Sequence, residues 1–248
     1  MVTSKRASVE RQPKVSNKSR QVIAIGGGGF YRDSENLALE RYILRQTGAR
    51  EPRVAFVPTA SGEPDHYVTA YYSAFLKLGC RPSVLSFFKR TPELRSFLLN
   101  QDLIFVGGGN TKSMLAVWRE WGASEILRQA WESGIVLAGV SAGAICWFEQ
   151  GVTDSWAGDL RAFDCLGFLP GSCCPHYDGE AERRPSYHRL LANGEVAAGV
   201  AIEDWTGVHF IGTEINRVVS SKPGARAYSL RVVNGSVQEA PLSVEYLT

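Results

Sequence analysis

Four short apolar runs, each closed by a turn of small residues and followed by a helix-compatible segment, restrict this chain more than any other feature. They are Gln21-Val22-Ile23-Ala24-Ile25 before Gly26 to Gly29, and Arg53-Val54-Ala55-Phe56-Val57 before Pro58 to Gly62. The others are Leu103-Ile104-Phe105-Val106 before Gly107-Gly108-Gly109-Asn110-Thr111, and Ile135-Val136-Leu137-Ala138 before Gly139-Val140-Ser141-Ala142-Gly143. Apolar runs this short, bounded by glycine or proline, read as strands covered on both faces. Pro82 to Phe88 reads as a further strand, and helices are expected near 36–45, 66–78, 93–100, up to 121, and 124–133. Strand and helix alternating in this way predict an α/β fold with a doubly wound, mostly parallel sheet and helices on both faces. Short strand patterns at 200–202, 208–211, 217–220, 227–232 and around Val237 predict either more of that sheet or a small antiparallel edge region near the C-terminus.

With 248 residues, 44% of them hydrophobic, there is enough apolar surface for a sizeable core, read as a single α/β domain over 21–248. Residues 1–20 are polar, basic and nearly free of large apolar side chains, so a flexible tail is expected there. The net charge is only +2 and much of the excess sits in that tail, which argues against nucleic acid as a partner. Five cysteines without C-x-x-C spacing read as reduced thiols, and no apolar run reaches membrane-spanning length. The cytoplasm is the expected compartment, with no membrane partner.

Gly139 to Gly143 fits G-x-S-x-G, in which a serine sits on a sharp strand-to-helix turn with small neighbours that let substrate approach its hydroxyl. Ser141 is therefore a candidate nucleophile, the alternative being a serine that only caps a helix. A serine hydroxyl needs a base, and the base needs a group to orient it. Of His66, His176, His188 and His209, His176 stands in a proline-flanked loop after the serine element, whereas the others fit structural or surface roles. Glu149, Asp154 and Asp159 lie between Ser141 and His176, giving the order serine, acid, histidine; Glu203-Asp204 reads equally well as a turn after a strand. The Gly107 to Thr111 loop can present bare N–H groups to a substrate carbonyl, with Asn110 either contacting substrate or capping the next helix. Gly26 to Gly29 lacks a dinucleotide or P-loop signature, which leaves a close backbone turn as the stronger reading.

Phe105 to Thr111, Gly139 to Ala144 and Pro175-His176-Tyr177, in that order and at similar intervals, resemble the peptidase E family of serine dipeptidases, known for cleaving peptides with N-terminal aspartate. The resemblance runs over most of the chain from Gln21 onward and implies a class I glutamine amidotransferase-like arrangement. It carries the nucleophile to Ser141, the base to His176 and the acid to Asp154, with Glu149 and Asp159 in reserve. It also implies oxyanion donors at Gly108 or Gly109 and at Ala142, and matches the arginine that holds an acidic substrate to Arg183. The expected function is hydrolysis of short peptides through an acyl-enzyme, without metal or organic cofactor; the expected partner is a small peptide, and a homodimer is left open. The alternatives are a cyanophycinase-like hydrolase of an aspartate-rich polymer, a non-catalytic module binding a phosphate ligand at Gly26 to Gly29, and an α/β-hydrolase in which His209 is the base.

Overall fold

A computed structural model describes residues 19–247. Of the expected basic tail, only Ser19 and Arg20 fall inside that range; Arg20 lies over the Trp131 ring, 4.7 Å from its centroid. The first half of the chain alternates as its sequence predicts: β1 (Gln21–Ile25), α1 (Ala38–Gln46), β2 (Arg53–Val57), α2 (Asp65–Lys77), β3 (Arg81–Val84), α3 (Leu94–Leu99), β4 (Leu103–Val106), α4 (Thr111–Glu120), α5 (Ala123–Glu132) and β5 (Val136–Val140). One strand is shorter than expected. The buried carboxylate of Glu63 accepts hydrogen bonds from Ser86 Oγ and, at 2.6 Å, from Phe87 N–H, so the chain turns after Val84 instead of running on to Phe88.

The second half holds α6 (Ala142–Ile145), β6 (Phe148–Thr153), β7 (Arg161–Asp164), β8 (Leu169–Cys174), α7 (Arg183–Ala192), β9 (Gly199–Ile202), β10 (Thr206–Ile211), β11 (Glu214–Ser220), β12 (Ala227–Val233), β13 (Ser236–Pro241) and β14 (Val244–Tyr246). An eight-stranded sheet runs β14-β11-β10-β1-β5-β4-β2-β3, parallel from β1 through β3, with β10 antiparallel to β1 and β11 antiparallel to β10. The expected antiparallel region near the C-terminus is thus β10 and β11, with β14 parallel to β11 at the very edge. β12 and β13 instead join a second sheet, ordered β13-β12-β9-β8-β6-β7, three of whose strands lie in the 148–174 stretch, for which the sequence offers no strand pattern.

Successive side chains on a strand face opposite ways, so each run of the main sheet feeds two cores. Ile23, Ile25, Val54, Phe56, Phe105 and Val140 pack on α1 and α2, while Val22, Ala24, Ile104 and Val106 face α3, α4, α5 and the second sheet. The two sheets meet through residues such as Phe148 and Phe210, whose ring centroids are 5.6 Å apart. α7 covers the outer face of the second sheet with Tyr187, Leu190 and Leu191. Among the described residues no helix is long and apolar enough to cross a membrane. This topology brings the carboxyl ends of β1, β2, β4 and β5 to one rim, where ligands gather in open α/β sheets.

Candidate active site

At that rim β5 ends in Ser141, whose backbone sits at φ 59°, ψ −114°, a conformation that non-glycine residues adopt only when their surroundings enforce it. The enforcing contacts are local. Ser141 N–H donates to Ile25 C=O at 3.0 Å, and Ser141 C=O accepts from Ala144 and Ile145 at 2.9 and 3.1 Å. The flanking glycines are there for space: a Cβ on Gly139 would stand 2.2 Å from Gly143 O, and one on Gly143 would stand 2.2 Å from Val106 O. Hence the turn can be this tight only with both positions bare. α6 is a single turn before β6 begins, and the N–H of Ala142, at its start, has no carbonyl four residues back within the helix.

His176, in the loop between β8 and α7, reaches the same rim. Its N–H donates to Gly26 C=O at 3.3 Å, the Tyr177 N–H donates to Ile202 C=O at 3.2 Å, and His176 itself takes a left-handed φ of 53°. His176 Nε2 lies 2.8 Å from Ser141 Oγ, and Nδ1 lies 2.7 Å from Asp204 Oδ1. With Asp204 as acceptor the ring proton is on Nδ1, which leaves Nε2 free to accept the serine hydroxyl. The hydrogen bond from His176 holds the Asp204 carboxyl below its ordinary range; partial burial opposes this, and the charges of Arg32 and Lys222 assist it. The imidazole and carboxylate are mostly shielded from water, at 17% and 30% side-chain exposure.

Asp204 stands in the turn between β9 and β10, and the β1 loop locks it there. Gly27 bridges to Asp204, Trp205 N–H donates to Gly27 C=O at 2.9 Å, and Asp204 N–H donates to Asp178 Oδ1 at 2.8 Å. A Cβ on Gly27 would lie 2.0 Å from Asp204 Oδ1 and 2.6 Å from His176 Nδ1. Gly26 to Gly29 is accordingly the floor beneath the histidine and its acid. It is no phosphate cradle, since carbonyl oxygens of Ile202 and Glu203 lie against Gly26 and the Asp204 carboxylate against Gly27.

Several sequence expectations are corrected here. Asp154 does not orient His176, because both ring nitrogens are taken by Ser141 and Asp204; it is largely exposed and pairs with Arg183 at 3.5 Å. Glu149 accepts from Gly171 N–H at 2.8 Å across the second sheet, and Asp159 is exposed in the loop after β6. Arg183 is buried and engaged by Glu180 at 2.6 Å and Val152 C=O at 3.0 Å as well as by Asp154, so it ties α7 to β6 and has no free face for a substrate. Asn110 caps α4, accepting from Ser113 N–H at 2.9 Å and donating to Ser155 C=O at 3.0 Å. His209 is buried, accepts from the Tyr42 hydroxyl at 2.7 Å and donates to Gln21 at 2.9 Å, and burial lowers its pKa to about 4. Neutral and enclosed in β10, it is not the base of this site. Cys173 and Cys174 are buried free thiols, pushed well up by desolvation.

Beside Ser141 and His176 opens a cleft of about 240 Å³, lined also by Gly108, Gly109, Tyr31, Arg32, His66 and Tyr67. Gly108 faces Ser141 so closely that a Cβ there would stand 3.2 Å from Ser141 Cβ. Burial raises the Tyr67 phenol to about 12, which keeps that side chain a neutral hydroxyl. Among the described residues no group of three or more His, Cys, Asp or Glu side chains could hold a metal ion.

The family model for peptidase family S51 matches residues 22–218 of this chain. An uncharacterized peptidase, YgaJ, of Bacillus subtilis strain 168 is 51% identical over 229 residues, covering 92% of this chain and 99% of its own. An uncharacterized peptidase of Listeria monocytogenes, Lmo0363, is 31% identical over 134 residues, 50% of this chain and 65% of its own. Among solved structures, a peptidase from an acI-B1 actinobacterium superposes with a TM-score of 0.67 at 18% identity, covering 91% of this chain and 95% of that one. A putative peptidase E protein from Listeria monocytogenes EGD-e superposes with a TM-score of 0.57 at 20% identity, covering 91% of this chain and all of that one. At such identities the superpositions speak for the fold alone.

Proposed function

Because this chain belongs to peptidase family S51, we propose that it is a serine-type peptidase of short peptides, working through Ser141, His176 and Asp204. The observation that carries the reading is the unbroken hydrogen-bond path from Ser141 Oγ through both nitrogens of His176 to Asp204, with links of 2.8 and 2.7 Å, at the edge of an open cleft. A hydroxyl is a poor nucleophile at neutral pH, and a base within hydrogen-bond reach removes its proton as the carbonyl is attacked. His176 Nε2 takes that proton, and the ionised Asp204 stabilises the imidazolium through Nδ1–H without becoming protonated.

The tetrahedral oxyanion is received by backbone N–H groups of Ala142 and of Gly108 or Gly109, donors that need no reorganisation as charge develops. His176 then returns the proton to the leaving amine, and water hydrolyses the acyl-serine by the same path in reverse. Such a donor typically contributes about 3 kcal/mol of transition-state stabilisation.

A cleft of about 240 Å³ favours dipeptide-sized substrates over long chains. Preference for an N-terminal aspartate, if the enzyme has it, does not come from Arg183, whose guanidinium is already saturated. The five free thiols fit action in a reducing compartment, the cytoplasm. A panel of dipeptides, tetrapeptides and octapeptides with acidic and neutral N-terminal residues tests this reading. Release of the first amino acid from dipeptides, lost in Ser141→Ala, is expected; turnover that survives Ser141→Ala, or is confined to the octapeptides, refutes it.

A further inference from the structure

The loop after β1 is built to push two side chains into the cleft. Phe30 is buried, with ring centroids 5.6 to 6.1 Å from Phe56, Tyr67, Tyr71, Phe75 and Phe105. Its N–H donates at 2.7 Å to the buried carboxyl of Glu40, and Arg32 and Asp33 N–H close the turn on Gly29 C=O at 2.9 and 3.1 Å. With Phe30 pinned inward, Tyr31 and Arg32 are carried to the wall of the cleft that holds Ser141 and His176. Tyr31 leans on Tyr67, ring centroids 4.5 Å apart.

Arg32 differs from the other arginine considered for this site. Arg183 spends its guanidinium on Glu180, Asp154 and Val152, whereas the Arg32 guanidinium has neither ion pair nor hydrogen bond among the described residues. Its charge is felt by Asp204, yet that carboxylate is committed to His176. A planar fork of donors, held on a tied loop and facing a peptide-sized cleft, suits a carboxylate gripped by two parallel hydrogen bonds.

On the reading of this site as a serine peptidase, we propose that Arg32 is the specificity-determining anchor for a substrate carboxylate in the Ser141 cleft. In a dipeptide that carboxylate comes from one of two sources, an acidic side chain on the first residue or the free C-terminus of the second. Both present the same chemistry to the guanidinium.

The test measures binding without turnover. Calorimetric titration of Ser141→Ala with Asp-Leu, Asn-Leu and their C-terminal amides separates the sources, because each carboxylate is removed singly. The ligand keeping the recognised carboxylate is expected to bind roughly 10- to 100-fold more tightly than its neutral counterpart, the range of a charge-assisted pair. Arg32→Met in the Ser141→Ala background erases that ratio and Arg32→Lys restores only part of it, while affinity for Asn-Leu amide moves less than about twofold. Equal affinity for all four ligands, no measurable binding of any, or a ratio that survives Arg32→Met overturns the proposal. Labelling of the wild-type protein by a fluorophosphonate keeps the two readings apart: labelling without carboxylate discrimination removes Arg32 alone, and discrimination without labelling removes the hydrolase.

Discussion

Gly27→Ala is the smallest change that interrogates the geometry of the site. Gly27 does not have a left-handed backbone, so alanine costs no conformational strain there, and its only effect is the volume of one methyl group. That methyl carbon would stand 2.0 Å from Asp204 Oδ1 and 2.6 Å from His176 Nδ1, against an ordinary contact of roughly 3.5 Å. The pair must therefore move by about 1 to 1.5 Å, which breaks their 2.7 Å hydrogen bond or draws the imidazole away from Ser141. Misplacement of about 1 Å costs on the order of 10²-fold in rate, and loss of the orienting acid in a comparable triad on the order of 10⁴-fold. We expect kcat/KM for a cleaved dipeptide to fall about 10²- to 10⁴-fold, with far-UV circular dichroism unchanged. Gly48→Ala is the control. Its φ of 65° makes alanine cost about 1 kcal/mol, but the space around it is empty, so activity should stay near that of the wild type. Activity of Gly27→Ala within about threefold of wild type would refute the coupling of the β1 loop to His176 and Asp204.

Two further predictions concern buried charge. Arg183→Met should lower stability by about 2 kcal/mol in urea unfolding, through loss of the Val152, Glu180 and Asp154 contacts, and should affect acidic and neutral peptides alike; a loss confined to acidic peptides would return Arg183 to substrate binding. Burial raises the Glu40 carboxyl from its ordinary 4.5 to about 7, so between those values the native state holds a proton that the unfolded chain has released. Stability consequently falls as pH rises through that window, by up to about 3 kcal/mol. Glu40→Gln keeps an acceptor for Phe30 N–H and should flatten that fall in unfolding measured at pH 5 and pH 8; an unchanged pH dependence contradicts this assignment.

The strands that build the rim were readable because each is a continuous apolar run feeding two cores, and a turn of small residues marks its carboxyl end. β6 and β8 were not. Phe148-Glu149-Gln150-Gly151 and Leu169-Pro170-Gly171 carry glycine, proline and polar residues that strands usually exclude, and β6 pairs with β8 across a register shift. Without strands assigned there, Asp154 stood as the acid on its place between Ser141 and His176 and on the family resemblance alone. Ser141 and His176 could be named from the turn chemistry around them, whereas Asp204 is brought to His176 by tertiary contacts, among them the pairing of Gly27 with the β9 to β10 turn between residues 177 positions apart in sequence. The acidic pair Glu203-Asp204 after the Val200-Ala201-Ile202 strand, in a chain whose first glycine loop lacks a phosphate-binding signature, was the available clue. The chain order is thus serine, histidine, acid, which no spacing rule taken from the serine alone could supply.

The most direct measurement is the rate at which a fluorophosphonate modifies the intact protein, with the adduct located by peptide mass spectrometry. A single adduct on Ser141 is predicted, absent in Ser141→Ala, slowed on the order of 10³-fold or more in His176→Ala and Asp204→Asn, and unchanged in Asp154→Asn. An adduct on another residue, or a rate that depends on Asp154 and ignores Asp204, would contradict the account.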